Sequence, residues 1–433
     1  MKTLIPLLCA LCLQCLTSVA PAAQMPPLNA NAWNIVFVQS FESDANTNNL
    51  SAQGFNHALL FGQLLNTITA GKIADVRGIY SFSPKPKPKS SPQDMAPLQS
   101  IEPFAVLNNR AVTHQLVESG DITTYGSPAY IINGILANQP RGTYIITMQA
   151  AMINDTVAEL LGPDAPAGSI TPGNYNQYLV LALENGRKSV VVYDDSLTPD
   201  KRYPELNLRR TPNYACPEPP VRFTVKKPKS SKYQFNTRQT VYFVRHVEAH
   251  PNSTFENGNF VCQGAWRAIG ANGILRELMG KDPKNILTTN PTDLIGCDGS
   301  CSYIRPALTI SPYAIQHGQK LMLAGFQWND APTLAASLFT RNTPYSDPAF
   351  DQALTLVAWE HGNIDKAIQY LIGDIYANPA ALKKLPPWSF TDYDTVWKLE
   401  TDERGNLTFS NTCEGIDSDS LPGTCPAFPV GAK

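Results

Sequence analysis

Charge is scarce in this chain. Only 16% of its 433 residues are charged, and the formal net charge is −2. Electrostatic binding of nucleic acid needs a basic footprint, so that class of partner is excluded. Long apolar runs are missing after the first 23 residues. A membrane-spanning helix takes about 20 consecutive apolar residues, and no later stretch reaches that length. Beyond residue 23 there is no Cys-x-x-Cys pair, which argues against a structural zinc site. No metal or cofactor is expected. Histidine is rare, with six in the chain, so each position carries weight. Disorder is excluded too, because 43% of the residues are hydrophobic.

Proline is plentiful at 36 residues, which predicts long irregular connections. The length predicts two domains, at about 100–200 residues each. Residues 1–23 read as a secretory signal peptide. Lys2 supplies the positive start, Leu4 to Leu16 a short apolar core, and Ala20-Pro21-Ala22 a small-residue cleavage site. The mature chain is then expected outside the cytoplasm, secreted or periplasmic. Six cysteines remain after the signal, an even number that favours disulfides. Cys297–Cys301 and Cys413–Cys425 are the pairs closest in sequence and are the expected bridges.

Self-comparison organises the rest. Residues 34–66 and 240–278 both open on a β-branched and aromatic run, as a buried strand does. Both then place a Glu (Glu42, Glu248), an Asn (Asn46, Asn252), a loop, and Gln-Gly-x-x-x-Ala at the start of an apolar helical pattern. Residues 146–162 match 357–373 as strand, turn and amphipathic helix. Two hairpins close the series, turning at Asn185-Gly186 and at Gly405. Three matches in one order predict a second domain that copies the first. Residues 201–235, rich in Pro, Lys and Ser, read as an extended linker. The run at 85–91, KPKPKSS, reads as a solvated Pro-rich loop.

Chemistry gathers in the second copy. A strand ending at Val244 delivers Arg245 and His246 to its carboxyl end, where open α/β sheets bind ligands. His361 follows the strand 354–359, and the helix expected after it starts around Asn363, with an N-terminus that favours an anion. Arg305 follows Ser302-Tyr303-Ile304. Two histidines and an arginine at neighbouring strand ends make a pocket for a dianion.

With Arg245-His246-Val247-Glu248, Arg305 with Thr309, and the pair His361-Gly362 in this order, the mature chain resembles a tandem pair of histidine-phosphatase (phosphoglycerate-mutase-like) domains. The resemblance implies an α/β fold, with two such domains, each a mostly parallel central sheet with helices on both faces. It places a degenerate domain at 24–200 and a catalytic domain at 236–433. It implies that His246 becomes phosphorylated while Arg245, Arg305 and His361 hold the phosphoryl group. Glu248 joins the catalytic set, and Asn252 and Gly362 are expected to contact substrate. In the first copy Gln39, Ser40, Ala96 and Ala150 stand where Arg245, His246, Arg305 and His361 stand in the second, so no such chemistry is expected there.

The proton donor is the open place. Where some members carry an acid after the second histidine, this chain has Gly362. Asp330 and Glu360 are the donor candidates, beside Glu248, with Asp347 and Asp351 in the same segment. Glu360 is expected to face away from His361 if the strand continues through it. His57, His114 and His317 are expected to be structural or exposed. The implied activity is hydrolysis of a phosphomonoester, small or macromolecular, through a phosphohistidine. A phosphomutase and a non-catalytic protein that binds an anionic ligand are the alternatives. Neither substrate identity nor oligomeric state is legible.

Overall fold

The computed structural model describes residues 28–69, 75–118, 123–162, 170–206, 208–250, 256–297 and 299–428. The expected signal peptide and Asn252 lie outside the described residues. No helix among the described residues is long and apolar enough to cross a membrane.

The first sheet is built from β1 (Trp33–Gln39), β2 (Val76–Pro84), β3 (Thr113–Val117), β4 (Gly142–Met148), β5 (Gln177–Glu184) and β6 (Arg187–Asp194), in the order β3-β2-β4-β1-β5-β6. Helices α1 (Ala52–Ile68), α2 (Ala96–Leu107), α3 (Pro128–Asn138) and α4 (Ala150–Leu161) join these strands. The strands β1 to β4 pair in parallel, and the β5–β6 hairpin is antiparallel. Asn185 (φ 49°) and Gly186 (φ 77°) both turn left-handed, the backbone that a two-residue hairpin needs.

The second sheet contains β7 (Arg222–Val225), β8 (Thr240–Arg245), β9 (Asn285–Thr288), β12 (Leu321–Leu323), β13 (Leu354–Trp359), β14 (Thr395–Thr401) and β15 (Leu407–Cys413). Its order is β12-β9-β13-β8-β14-β15-β7. Position for position this repeats the first sheet, with β7 added at the edge. A separate hairpin, β10 (Leu294–Cys297) and β11 (Gly299–Ser302), stands between β9 and the helix that follows. The helices are α5 (Cys262–Gly270), α6 (Asn272–Met279), α7 (Arg305–Gln316), α8 (Ala331–Phe339), α9 (His361–Tyr370) and α10 (Pro379–Leu382).

Both sheets are covered on two faces, so their central strands are apolar throughout rather than alternating. Along β1, Val36 and Val38 enter one core, and Ile35 and Phe37 another. Along β8, Tyr242 and Val244 face one core, and Val241 and Phe243 the other. The core on the first-named face is common to both sheets and holds α1, α2 and α5 to α7. The result is five layers: α3–α4, sheet, shared helices, sheet, α8–α10. Across the middle layer the two halves meet reciprocally. Asn49 Nδ2 donates to the Gln319 carbonyl (2.9 Å), and Asn257 Nδ2 to Asn109 Oδ1 (3.2 Å).

Two expectations need correction. The segment 201–235 is extended but not a free linker. It contributes β7, where Phe223 and Val225 turn inward and Phe223 stacks on Phe409 at 5.2 Å. The bridge Cys413–Cys425 is not formed. Cys413 bonds Cys216 and Cys425 bonds Cys262, while Cys297–Cys301 is present as expected. Cys413 ends β15 beside the incoming segment, and the C-terminal tail runs on to α5. Nearness in sequence therefore misled.

Candidate active site

β8 and β13 are adjacent and parallel, with Arg245 opposite Trp359. The His246 amide donates to the Trp359 carbonyl (2.8 Å). This register brings Arg245-His246 and Glu360-His361 to one edge of the sheet. Arg305 arrives as the first residue of α7. All four of Arg245, His246, Arg305 and His361 line one cleft of about 490 Å³, together with Gly362.

His246 is buried, and its Nδ1 lies 2.9 Å from the Val247 carbonyl. A carbonyl only accepts, so Nδ1 carries the proton and Nε2 keeps its lone pair. Burial, then the positive charges of Arg305 and Arg245, push the imidazole well below its ordinary pKa of 6.5. At neutral pH the ring is therefore uncharged. Val247 is itself held by its amide, which donates to Thr309 Oγ1 (3.0 Å).

Arg245 is anchored by Nη1, which donates to the carbonyls of Phe390 (2.5 Å) and Asp392 (3.0 Å). Its guanidinium lies 3.9 Å over the Tyr393 ring. Arg305 is paired through Nη2 with Glu256 and lies 5.1 Å over Tyr303. The Nε atoms of both arginines are buried and have no acceptor among the described residues. Buried donors nearly always find partners, so a bound anion is the natural one.

The carboxylates rearrange the donor assignments. Glu360 does not face away from His361. The strand ends at Trp359, and Glu360 caps α9, accepting from the amides of Gly362 (2.9 Å) and Asn363 (2.7 Å). Its Oε1 lies 2.6 Å from His361 Nδ1, off the axis of a hydrogen bond. Burial alone would raise its pKa, but His361 and the cap amides bring it down to about 2. Glu360 is thus ionised and does not fit the proton-donor role. Glu248 does not line the cleft. Its Oε1 accepts from Arg267 Nε (2.8 Å), Arg267 Nη2 (2.7 Å) and Ser418 Oγ (2.7 Å). That buried cluster, completed by Asp394 and Glu414, makes Glu248 a structural group. Asp330 caps α8 through the Thr333 amide (3.1 Å) and is also outside the cleft lining. Asp347 caps a short turn, and Asp351 pairs with Arg341 (2.7 Å).

Sequence reasoning missed Glu256, which lines the cleft and holds Arg305. The sequence around it has no periodic signal, so only the fold places it. His250 also escapes sequence reasoning. It also lines the cleft and reaches Asn109 of the first half (2.5 Å).

No protein-family model matches the chain, and no curated protein does. Solved structures that are similar each span about two fifths of it. One named as the phosphohistidine phosphatase SixA from Agrobacterium tumefaciens is 18% identical, covering 37% of this chain and 91% of its own, with a TM-score of 0.25. A mycobacterial glucosyl-3-phosphoglycerate phosphatase is 12% identical, covering 40% and 97%, with a TM-score of 0.26. A phosphoserine phosphatase mutant from Entamoeba histolytica is 8% identical, covering 39% and 94%, with a TM-score of 0.22. The α/β architecture rests on the strand order and register above.

Proposed function

We propose that this chain is an exported phosphomonoester hydrolase that passes the phosphoryl group through His246. The observation that carries the reading is the state of His246: uncharged, proton on Nδ1, lone pair on Nε2, between two guanidinium groups at a strand end. We read residues 24–200 and 236–433 as tandem histidine-phosphatase-like domains, the first without its catalytic groups.

In the first step Nε2 of His246 attacks phosphorus and the ester P–O bond breaks. Arg245 and Arg305 neutralise the equatorial oxygens, the main requirement of such a transfer. The leaving oxygen needs a proton. Of the two carboxylates in the cleft, Glu360 is held ionised, so Glu256 is the donor of choice. Incoming substrate, bound as the phosphate monoanion, would displace Glu256 from Arg305 and pass it the proton that the leaving oxygen then receives. In the second step water attacks the phosphohistidine, Glu256 takes its proton, and phosphate leaves with His246 restored. Gly362 and the first turn of α9 lie against the anion, and Glu360 fixes the His361 ring. The three disulfides suit an oxidising compartment, which supports export and disfavours a mutase of cytosolic intermediates.

The test compares wild type with His246→Ala and Glu256→Gln on an aryl and an alkyl phosphate between about pH 4 and 8. His246→Ala is expected to abolish turnover. Glu256→Gln is expected to slow the alkyl ester far more than the aryl ester, whose leaving group needs less protonation. Equal turnover by His246→Ala would overturn the reading.

A further inference from the structure

The cleft is wider than a phosphate needs, and its outer walls have their own chemistry. Trp328 follows β12, Ile295 lies on the hairpin that follows β9, and Phe390 and Tyr393 precede β14. In the sheet, β12 and β9 lie on one side of the β13–β8 pair, and β14 on the other. The two pairs of side chains therefore flank the phosphate pocket from opposite sides. Phe390 keeps 57% of its surface exposed in this wall. Trp328 is held in place from three directions. Its Nε1 donates to the Leu294 carbonyl (3.1 Å), its amide to Asp293 (2.9 Å), and its carbonyl accepts from Trp359 Nε1 (2.7 Å). Its ring also packs edge-on to Tyr303 at 4.9 Å. The Cys297–Cys301 bridge closes the hairpin that carries Ile295. No such hairpin occurs among the described residues between β2 and α2 of the first half.

Resting on the phosphatase reading, we propose that the substrate is the monophosphate ester of a flat, apolar alcohol, with its ring held between Phe390–Tyr393 and Trp328–Ile295. Charge favours a single phosphate. Arg245, Arg305 and Lys366 line the cleft against Glu256 and Glu360, so a substrate with several phosphates meets two carboxylates. Two polar groups of the cleft already have partners: Asn363 Nδ2 donates to Glu360 (2.8 Å), and His250 Nε2 lies 2.5 Å from Asn109 Oδ1. A rigid aromatic wall, by contrast, gains from a planar group through stacking and burial.

Binding separates this inference from leaving-group reactivity. Inorganic phosphate, methylphosphonate, 3-hydroxypropylphosphonate and phenylphosphonate are compared as ligands of the full chain, by calorimetry. Phenylphosphonate is expected to bind about tenfold or more tightly than methylphosphonate, and the hydroxypropyl compound no better than methyl. Phe390→Ala and Trp328→Ala are expected to reduce the phenyl-to-methyl ratio towards one, and Phe390→Leu to keep part of it. Cys297→Ser with Cys301→Ser is expected to lower the ratio as well. A ratio near one in wild type, with phosphate still bound, overturns the inference alone. Failure of phosphate and every phosphonate to bind overturns the phosphatase reading on which it rests.

Discussion

The two halves keep the same framework and treat charge in opposite ways. In the second half Arg245 ties down the loop before β14 through two carbonyls. In the first half Gln39 does the same, its Nε2 donating to the carbonyls of Asn174 and of Gln177 (3.0 Å). The tether is kept and the cation is gone. The buried ion cluster shows a second replacement. Glu248, Arg267 and Glu414 become Glu42, His57 and Asp195, the imidazole lying 3.1 Å from one carboxylate and 2.9 Å from the other. The structural roles are kept with a different residue, whereas the groups we propose as catalytic are all absent from the first half. A tether asks only for a donor of the right reach. Phosphoryl transfer asks for positive charge and a nucleophile at fixed places.

That comparison can be broken in order of effect. Arg245→Gln installs the first half's solution in the second. The loop tether should hold, with melting little changed, while kcat falls about 100- to 1,000-fold. Retained kcat would show that Arg245 serves only as a tether. Arg267→Gln should destabilise the protein by about 3–5 kcal/mol, because Glu248, Asp394 and Glu414 would stay buried without their cation. Denaturant titration reads this, and a loss within error would contradict the structural role given to Glu248.

The smallest effect is one of pH and belongs to the first half. Both ring nitrogens of His57 face carboxylates, so the ring must carry two protons to satisfy them. Burial works against that charge, but Asp195 and Glu42 outweigh it, and the pKa is raised above 6.5. Phe41 stacks on the ring at 4.0 Å, and Tyr178, a titratable group near Asp195, Asp194 and Tyr193, has its pKa raised by burial and stays neutral. A raised folded value means the stabilisation is full below pH 6.5 and is lost as pH rises through that higher value. The melting temperature should fall over this range in wild type, and the slope should flatten in His57→Gln. An unchanged slope would rule the imidazolium out.

Much of this was legible beforehand. The repeat survives because packing fixes it. The Gly of each Gln-Gly pair lies against the carbonyl of the retained Glu, where a Cβ on Gly54 or Gly264 would collide. Pro97 and Pro103 in α2 recur at the same places in α7 as Pro306 and Pro312, which supports setting Ala96 against Arg305. Arg245, His246, Arg305 and His361 were legible because strand ends and a helix start fix them locally. Glu256 was not, since the sequence around it has no period from which to place a side chain. Glu248 misled for the reverse reason: its position by the motif was right, but Arg267, nineteen residues on, turns it away.

The most direct measurement is a rapid-quench experiment with a slow phosphomonoester substrate, followed by peptide mapping under alkaline conditions that preserve phosphohistidine. Covalent transfer requires an acid-labile phosphoryl group on the peptide containing His246, absent in His246→Ala and absent from the peptide containing Ser40. Phosphate release with no adduct on His246 at any time, or an adduct on Ser40 instead, would contradict it.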